Sequence, residues 1–487
     1  MRHGPARGLI GGALRFVRGA GRGGVMAGER RATSTVAALA APSLPQAALG
    51  LPLVVYLPEF YVSEHGLSLA AVGVAFMCVR ILDIGFDPFI GAVMDRTRTR
   101  FGRFRPWFAF ATPILMLASY MLFMPLPGAG AGYLWFWLVV VYVGFSIATL
   151  AQLAWGAVLS PDYDQRSRIY AWWQVGNVIG VILALVLPVA LQHLGVEGHA
   201  AGVAAMGWFI IVMLPLTLAL AIALVPEPQI ISAPERAGFR EYLGLLKLPT
   251  VRRLLGADLA TGMGPAITGA LFFFYFERVK GFPKAEAELL LLIYFVGGLL
   301  GAPIWTRLAY VIGKHKALAA ACLFYAIVTA AVVVLPKGNL GAAGVMMFAI
   351  GLPFSAGGFL LRAMMADVGD EVRLASGVDR TGLLYALLSG TVKLASAASV
   401  GITYVGLELV GFDAKAVGPD SGLAGLSVMF IAAPVALALL GGWAILGYPL
   451  NAKRHAEIRA GLDARDLAEN PEPAAPEEAH ALARPVN

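Results

Sequence analysis

Three charged residues share one short apolar stretch, Arg80-Ile-Leu-Asp83-Ile-Gly-Phe-Asp87. On a helix, residues three, four and seven positions apart lie on one face, so these side chains would point the same way. Two adjacent carboxylates repel each other in a low dielectric, so one of them would exchange a proton within the physiological pH range. That behaviour suits a proton carrier, and the same pair joined by a hydroxyl would instead suit a small hard cation.

Two residues elsewhere in the chain are candidate partners for these acids. Thr149, in a later apolar run, is the candidate hydroxyl, and Lys393, among small residues, is the candidate counter-charge. With Arg80, Lys393 would balance the two acids in a neutral set of four charges. The structural alternative is a static salt-bridge cluster. We favour a functional role, because a buried ion pair often adds little stability over well-packed apolar residues.

The composition indicates what kind of protein positions these residues. Of the 487 residues, 59% are hydrophobic and 14% are charged, whereas roughly a quarter of the residues in a soluble domain are charged. Soluble, disordered and fibrous proteins are therefore excluded. The two cysteines, Cys78 and Cys322, both lie in apolar runs, which argues against a disulfide framework and a cysteine metal site. The chain is predicted to be an all-α membrane protein.

Twelve apolar runs are long enough to cross a bilayer, which takes about 20 residues each. Named spans 1–12 in chain order, they cover residues 37–62, 68–94, 106–126, 132–158, 168–193, 203–225, 254–276, 286–311, 316–335, 341–365, 380–409 and 424–448. The three charged residues of the opening stretch fall in span 2, Thr149 in span 4 and Lys393 in span 11.

The basic residues predict the orientation of the chain. Of the 37 Lys and Arg residues, 30 lie at one side of the predicted bundle. They are found in the N-terminal flank, in the turns that follow even-numbered spans together with the adjoining span ends, and in the C-terminal tail. The turns that follow odd-numbered spans carry five Lys and Arg residues, and the remaining two are Arg80 and Lys393 within spans. Because Lys and Arg accumulate in cytoplasmic loops, both termini are predicted to be cytoplasmic. This alternation explains the net charge of +7 without a nucleic-acid partner.

The longest polar interruption divides the spans six and six. A weak repeat supports two equivalent halves, since span 2 leads to Gly102-Arg-Phe-Arg105 and span 8 leads to Gly313-Lys-His-Lys316. Parallel halves with a site between them are typical of transporters. The predicted units are a disordered basic arm, an N-terminal six-helix bundle, a cytoplasmic linker, a C-terminal six-helix bundle and a mostly disordered cytoplasmic tail, at residues 1–35, 36–225, 226–253, 254–448 and 449–487.

Other polar residues in the runs are weaker candidates for a site. The candidates for binding a solute by hydrogen bonds and stacking are Gln46, Gln152, Trp155, Trp173 and Gln174. Each has a structural alternative, which is an interhelical hydrogen bond for a glutamine and an interfacial anchor for a tryptophan. Asp258 lies five residues past Arg253, so we expect it near the cytoplasmic end of span 7 in a structural role.

The span 2 acids begin a longer motif. It reads Asp83-x-x-x-Asp87-Pro-x-x-Gly91-x-x-x-Asp95, followed by Arg96-Thr-Arg-Thr-Arg-x-Gly102-Arg-x-Arg-Pro106-Trp107. The motif resembles the signature of the glycoside–pentoside–hexuronide:cation symporters, the melibiose-permease branch of the major facilitator superfamily. Further stretches are similar to the same family, namely Trp155 to Arg168, Met365 to Glu371, Arg380-x-Gly382 and Lys393.

The resemblance implies a major facilitator fold in the cell (inner or plasma) membrane, and roles for the matching residues. Asp83 and Asp87 would bind the coupling cation with an oxygen from Thr149, and Lys393 would approach the same acids from the other half. The residues that would hold the outward-facing state through cytoplasmic gating contacts are Asp95, Arg96, Arg100, Arg103, Arg166, Arg168, Asp367, Asp370 and Arg380. No cofactor or structural metal is expected beside the coupling ion.

Three departures from the family pattern bear on the ion and the solute. Phe86 stands where sodium-using members have an asparagine before the second acid, which favours H⁺ over Na⁺. Span 1 has no acid before Glu59, and span 4 has Gln152 in place of a carboxylate, so the sugar grip of melibiose transporters is not reproduced. Gly357-Gly358 in span 10 leaves room rather than offering a stacking ring.

We therefore expect an alternating-access symporter that moves a small organic solute, foremost a sugar or glycoside, with H⁺. A carrier of lysolipid-like or other amphipathic solutes is the alternative, and a transporter-like sensor without flux is a more distant one. An enzyme is not expected, because the chain has no His-Glu-x-x-His helix, Gly-x-Ser-x-Gly elbow or phosphate loop. The expected partners are the solute, the cation and the lipid bilayer, and the expected state is a monomer.

Overall fold

The computed structural model describes residues 32–97, 99–159, 163–196, 198–227, 244–378, 380–412 and 422–469. These ranges are almost entirely helical, and the one β pairing within them is an isolated bridge between Thr99 and Gly102. Eleven helices in the described ranges are long and apolar enough to cross a membrane. They correspond to predicted spans 2–12, so the all-α membrane fold is confirmed.

The helices follow the predicted runs and extend past some of them. Span 5 begins at residue 163 and span 10 ends at residue 376, where charged residues of the terminal turns lower the hydropathy that marks a span. From span 2 to span 12 the helices are Leu69–Arg96, Arg105–Phe123, Ala131–Leu159, Tyr163–His193, His199–Leu224, Pro249–Phe274 with a π-helical turn Tyr275–Val279, Lys284–Ile312, Lys314–Ala330 with a 3-10 turn Ala331–Val334, Leu340–Gly351 with Phe354–Ser376, Thr381–Leu409 and Leu423–Ile445.

Span 1 differs from the continuous run predicted for it. The structure divides it into three short helices, Thr33–Ala40, Ser43–Gly50 and Tyr56–Ser63. Prolines explain the breaks, since they stand at residues 42, 45, 52 and 58 and a proline removes a backbone donor and crowds the preceding turn. A broken helix in a membrane must be covered by protein, and the first two pieces pack against spans 5 and 6.

Span 10 is also divided, at Leu352-Pro353, beside span 8. Glycines allow the two backbones to approach closely there. A Cβ on Gly301 would lie 1.9 Å from the carbonyl oxygen of Leu352, and a Cβ on Gly351 would lie 2.0 Å from the carbonyl oxygen of Tyr294. Because real Cβ atoms cannot approach so near, only glycine fits these crossing points.

The helices of spans 1–6 pack mainly against one another, and so do those of spans 7–12. The principal contacts between these halves join span 2 to span 11, span 5 to span 8, and the last helix of span 1 to span 7. The even-numbered spans end at one face of the bundle, which we call the basic face. We call the other face the opposite face. That the basic face is cytoplasmic stays a prediction.

Two contacts fix chain segments at the basic face. The carboxylate of Glu227, where the linker begins, accepts the backbone N–H groups of Arg103, Phe104 and Arg105 at 2.5, 2.8 and 3.1 Å. These amides open span 3, and free amides at a helix N-terminus attract a carboxylate. The tail, predicted to be mostly disordered, begins with a helix, Ala452–Glu469, which packs against span 10.

Candidate functional site

The charged residues of spans 2 and 11 meet between the two halves. The Lys393 Nζ lies 2.9 Å from Asp83 Oδ2 and donates to Asp87 Oδ2. The Arg80 guanidinium lies 3.3 Å from Asp83 and 4.4 Å from the ring centroid of Tyr142. One lysine therefore bridges both acids of the other half. We call Arg80, Asp83, Asp87 and Lys393 the charged centre.

The two acids of the charged centre differ in what their oxygens contact. The Asp83 side chain is 2% exposed, and it accepts from Ser146 Oγ at 2.5 Å in addition to its two cations. The Asp87 side chain is 25% exposed, and its Oδ1 has no hydrogen-bond partner among the described residues. Asp87 therefore offers an unoccupied carboxylate oxygen for a proton or a cation, whereas both oxygens of Asp83 are already engaged.

Thr149, the predicted hydroxyl partner, does not contact the acids. Its Oγ1 donates to Gln46 Oε1 at 3.0 Å, and Ser146, three residues earlier on span 4, supplies the hydroxyl that reaches Asp83. The Lys393 Nζ also lies 3.3 Å from this Ser146 Oγ. The sequence pattern could not indicate which of the two hydroxyls reaches the acids, because span 4 is apolar on all sides and has no distinct polar face.

The glutamines predicted to bind a solute are bonded to each other. Gln46 Nε2 donates to Gln152 Oε1 at 2.8 Å, and Gln152 Nε2 donates to the carbonyl of Leu39 at 2.8 Å. Both side chains are buried, at 3% and 2% exposure. The cavity beside Gln152 has a volume of about 10 Å³, which is room for roughly one water molecule. The pair therefore ties span 1 to span 4 in this conformation.

The other predicted solute contacts are spread along the bundle. Trp155 is fully buried, its Nε1 donates to the Pro226 carbonyl at 3.3 Å, and the Arg105 guanidinium lies 5.2 Å from its ring. Trp173 is half-buried and Gln174 is exposed. The structure does not gather the five residues around one ligand-sized space.

Asp367 and Asp370, two of the predicted gating residues, contact residues of their own half. Asp367 accepts from Lys314 at 2.7 Å, and Asp370 lies 2.9 Å from His455 on the tail helix. Arg380 is half-buried.

In the N-terminal half, Arg168 donates to Thr33 Oγ1 at 2.5 Å and the Arg103 side chain donates to the carbonyl of Met94 at 3.2 Å. The Arg100 guanidinium lies 4.7 Å from the Phe101 ring, and Arg96 is exposed. The side chains of Asp95 and Arg166 lie outside the described residues.

A second inter-half cluster, at the opposite face, was missed from the sequence. Glu59 at the end of span 1 lies 2.6 Å from Lys284 Nζ and 3.1 Å from His199 Nε2. His199 Nδ1 lies 3.3 Å from Glu288, and Lys284 is 3.5 Å from Glu277. We call these five residues the outer cluster. Since Glu59 and His199 belong to one half and the others to the second, the cluster joins the halves.

Three of the five members of the outer cluster are buried. Glu59 and Glu288 are each 2% exposed, and the His199 side chain is 4% exposed. Gln192 of span 5 adds a bond to Glu288 across the same interface, and Tyr56 stacks on the His199 ring. The members come from span ends that are far apart in sequence, so no local spacing signals the cluster.

A larger cavity lies within the C-terminal half. It has a volume of about 280 Å³ and is lined by residues of spans 7, 9, 10, 11 and 12, including Asp258 and Arg362. Asp258 accepts a hydrogen bond from Thr391 Oγ1 on span 11, so its side chain faces the interior of the half. Arg362 lies on the helix Phe354–Ser376 of span 10.

Comparison with known proteins identifies the family. A family model described as MFS/sugar transport protein matches residues 38–452. The uncharacterized symporter YnaJ of Bacillus subtilis is 26% identical over 435 residues, which cover 84% of this chain and 90% of YnaJ. The glucuronide carrier protein homolog of Escherichia coli is 24% identical over 422 residues, which cover 84% of this chain and 91% of the relative.

A solved structure shows the same fold. The crystal structure of the D-xylose-proton symporter matches with a TM-score of 0.63 at 14% identity, and the match covers 86% of this chain and 98% of that chain. A structural match at 14% identity shows only that the fold is shared. The match to the family model, in contrast, extends over both halves of the chain and shows the family. The chain therefore belongs to the MFS/sugar transport protein family, and it is a multi-pass transporter of the plasma membrane and not an enzyme.

Proposed function

We propose that the protein is a symporter in which Asp87 takes up the coupling ion and releases Lys393. The observation that carries this proposal is the bridge from Lys393 of one half to both acids of the other half. When Asp87 is charged, the lysine is held by two carboxylates and the halves are joined. When Asp87 takes up a proton, Lys393 keeps only Asp83, and this contact between the halves weakens.

This weakening couples the ion to the conformational change. An ion shifts an equilibrium between conformations only by its difference in affinity for them. Lys393 contacts the Asp87 carboxylate only while spans 2 and 11 lie together, so the ion binds Asp87 with a different affinity once those spans have separated. Proton uptake therefore favours separation of those spans, and proton release favours the bridged state described here.

H⁺ fits the charged centre better than Na⁺. A sodium ion needs several oxygen ligands at once, and the neighbour of the Asp87 carboxylate is the Lys393 ammonium, which repels a metal cation. Thr149 is turned toward Gln46, and Phe86 supplies no oxygen beside Asp87. A proton needs only the one unoccupied Asp87 oxygen.

The outer cluster and the basic residues suggest which way the carrier faces. Because the outer cluster joins the halves at the opposite face, we propose that the solute path in this conformation opens at the basic face, which the charge distribution predicts to be cytoplasmic. We propose that the solute is a sugar or glycoside, which is supported by the family description and by the name of the Escherichia coli relative. We also propose that one chain suffices for transport.

Uptake by the purified protein in liposomes tests the coupling. Asp87→Asn should abolish solute accumulation driven by a pH gradient while sparing counterflow of the same solute, because counterflow needs no net ion movement. The matched control is Asp463→Asn, on the tail helix, where the side chain is 62% exposed. Undiminished accumulation by Asp87→Asn contradicts the proposed role of Asp87.

Two further arms of the same assay test the ion and the solute. Uptake that depends on Na⁺ at fixed pH would contradict the preference for H⁺. Accumulation of a lysolipid, with no uptake of any sugar or glycoside, would replace the proposed solute by the amphipathic alternative.

A further inference from the structure

His199 lies between two carboxylates at the interface of the halves. Its Nε2 is 3.1 Å from Glu59 Oε2, which belongs to the same half, and its Nδ1 is 3.3 Å from Glu288 Oε1, which belongs to the other half. The His199 side chain is only 4% exposed. The residue opens the span 6 helix, before the apolar run that begins at residue 203, so it lies at the edge of the membrane on the opposite face.

The two protonation states of this ring differ in how well they fit the contact. A neutral imidazole has a hydrogen on one nitrogen and a lone pair on the other. In either tautomer the lone pair faces a carboxylate oxygen, and such a contact is repulsive. The charged ring has a hydrogen on both nitrogens, so it attracts Glu59 and Glu288 together. The closed conformation therefore fits the charged ring better than the neutral one.

The charges around the ring favour the same state. The titratable and charged groups that face His199 are Tyr56 and Glu59 of span 1, Lys284 and Glu288 of span 8, and Glu277 on the π-helical turn of span 7. The tyrosine carries no charge near neutral pH, so three negative charges meet the single positive charge of the lysine. A charged ring reduces this excess of negative charge within the outer cluster.

The Nε2 contact acts through charge rather than through a shared hydrogen. Among the described residues, His199 Nε2 has no aligned hydrogen-bond partner, although Glu59 Oε2 lies 3.1 Å away. The contact between His199 and Glu288 is therefore the one that crosses the interface with a donor, and the Glu59 carboxylate adds attraction for the charged ring.

We propose that His199 is a proton-binding site separate from the charged centre, and that its proton favours closure of the opposite face. When that face is open, water reaches the ring, and a histidine in water loses its proton near about pH 6.5. Closure places the ring between two carboxylates, so the closed conformation binds the proton more tightly. By this difference in affinity, an acidic medium at the opposite face favours the closed conformation.

This effect goes beyond the proposed coupling at Asp87 and has the opposite sign. A proton on Asp87 favours separation of spans 2 and 11, whereas a proton on His199 favours contact between the halves. The proton of His199 enters and leaves at the opposite face, so it is not carried across the membrane. Strong acid at that face would therefore hold the carrier closed there and limit uptake.

The distance across the opposite face tests the proposal directly. Ala131, at the start of span 4, and Lys337, before span 10, are exposed positions of different halves at this face. Both are changed to cysteine and spin-labelled in a protein whose native cysteines are replaced by alanine. Double electron–electron resonance in nanodiscs then gives the ratio of closed to open molecules from about pH 5.5 to about pH 8.5, which brackets the usual range of histidine.

The comparison is with His199→Gln, which carries one donor and one acceptor like the neutral ring. At the acidic end the closed-to-open ratio should be about ten- to a hundredfold higher with His199 than with glutamine, since a hydrogen bond to a charged group contributes that much. This advantage should shrink as the pH rises above about 6.5, by at most tenfold per pH unit because one proton is involved. Asp87 is present in both proteins, so its own titration cancels.

Two further variants make the test specific to this ring. His65→Gln removes another histidine of the same face, whose ring packs against Phe60 and Tyr61, and it should retain the full pH dependence. Glu288→Gln leaves the His199 ring with one carboxylate and should weaken the pH dependence. The second variant keeps the test decisive if His199→Gln does not fold.

Three outcomes would overturn the proposal. The advantage of His199 over glutamine could be the same at every pH, it could be largest at alkaline pH, or His65→Gln could remove the pH dependence to the same extent. None of these outcomes bears on proton-driven accumulation, which tests Asp87 separately in the uptake assay.

Discussion

Removing the charge of Glu59 is expected to open the opposite face of the transporter. Glu59 holds Lys284 at 2.6 Å and His199 at 3.1 Å while only 2% exposed. Breaking a buried ion pair by removing one partner costs about 3–5 kcal/mol. In an open conformation water hydrates all three groups, so the loss falls on the closed conformation. Because Lys284 and His199 keep Glu277 and Glu288 as partners, we take the lower figure for Glu59→Gln.

This magnitude predicts a large change in the conformational equilibrium. A cost of about 3 kcal/mol lowers the ratio of closed to open molecules roughly 100-fold, since each 1.4 kcal/mol is a factor of ten. A cysteine that is covered only in the closed conformation reports this ratio by its labelling rate. Val55 suits this purpose, because it is 4% exposed and its Cγ2 would lie 3.3 Å from a Cβ on Gly269 in the other half.

The assay is methanethiosulfonate labelling of Val55→Cys in a protein whose own two cysteines are replaced by alanine. The matched control is Glu408→Gln, because Glu408 also joins the halves at the opposite face, through the N–H of Ala70, but is exposed. An exposed interaction contributes less than about 1 kcal/mol, so the control should change labelling by less than tenfold. Equal labelling rates for Glu59→Gln and the unmodified background would refute the reasoning, and so would equal acceleration by both variants.

Three further predictions concern packing, ion uptake and pH. Gly301→Ala should destabilise the protein by about 3 kcal/mol through overpacking, because its Cβ would lie 1.9 Å from a carbonyl oxygen. Denaturant titration measures this loss, and the control is Gly256→Ala, whose Cβ would have open space around it. Ser146→Ala removes the hydroxyl that donates to Asp83 at 2.5 Å, so the pH dependence of gradient-driven uptake should shift while counterflow persists. An unchanged pH dependence would contradict a role of Ser146 in the ion site. Burial, and secondly Lys337, lower the pKa of the Lys280 ammonium, so its charged form is disfavoured in the folded protein. The free energy of unfolding should therefore rise as pH increases through that lowered pKa toward the usual 10.5, and Lys280→Met should lack this rise when the two proteins are unfolded at neutral and alkaline pH.

The charged centre could be predicted because helix geometry converts spacing into a shared face. Arg80, Asp83 and Asp87 lie on one helix, and a charge inside a span is conspicuous against apolar neighbours. The spans could be predicted for a related reason, since the hydropathy of about 20 residues averages over local detail. Span 1 shows the limit of such averaging, because hydropathy does not register the backbone donors that its prolines remove.

The parts of the site that could not be predicted depend on helix rotation and on pairing at a distance. Ser146 and Thr149 differ by less than one turn, so a small rotation of span 4 decides which hydroxyl reaches the acids. Glu59 and Glu288 meet through His199 only after three spans have packed.

The broken first span also has a consequence for how the chain is inserted during synthesis. Its interrupted helices suit a protein-lined environment, and their partners are made much later, since Ser43 Oγ donates to the Trp173 carbonyl, 130 residues further along the chain. At about 5–20 residues per second, that separation takes the ribosome roughly 7 to 26 s. Span 1 therefore enters the membrane well before the helices that shield its backbone from lipid. Span 1 therefore reaches its final packing only after spans 5 and 6, on which its first two helices lie, have been made.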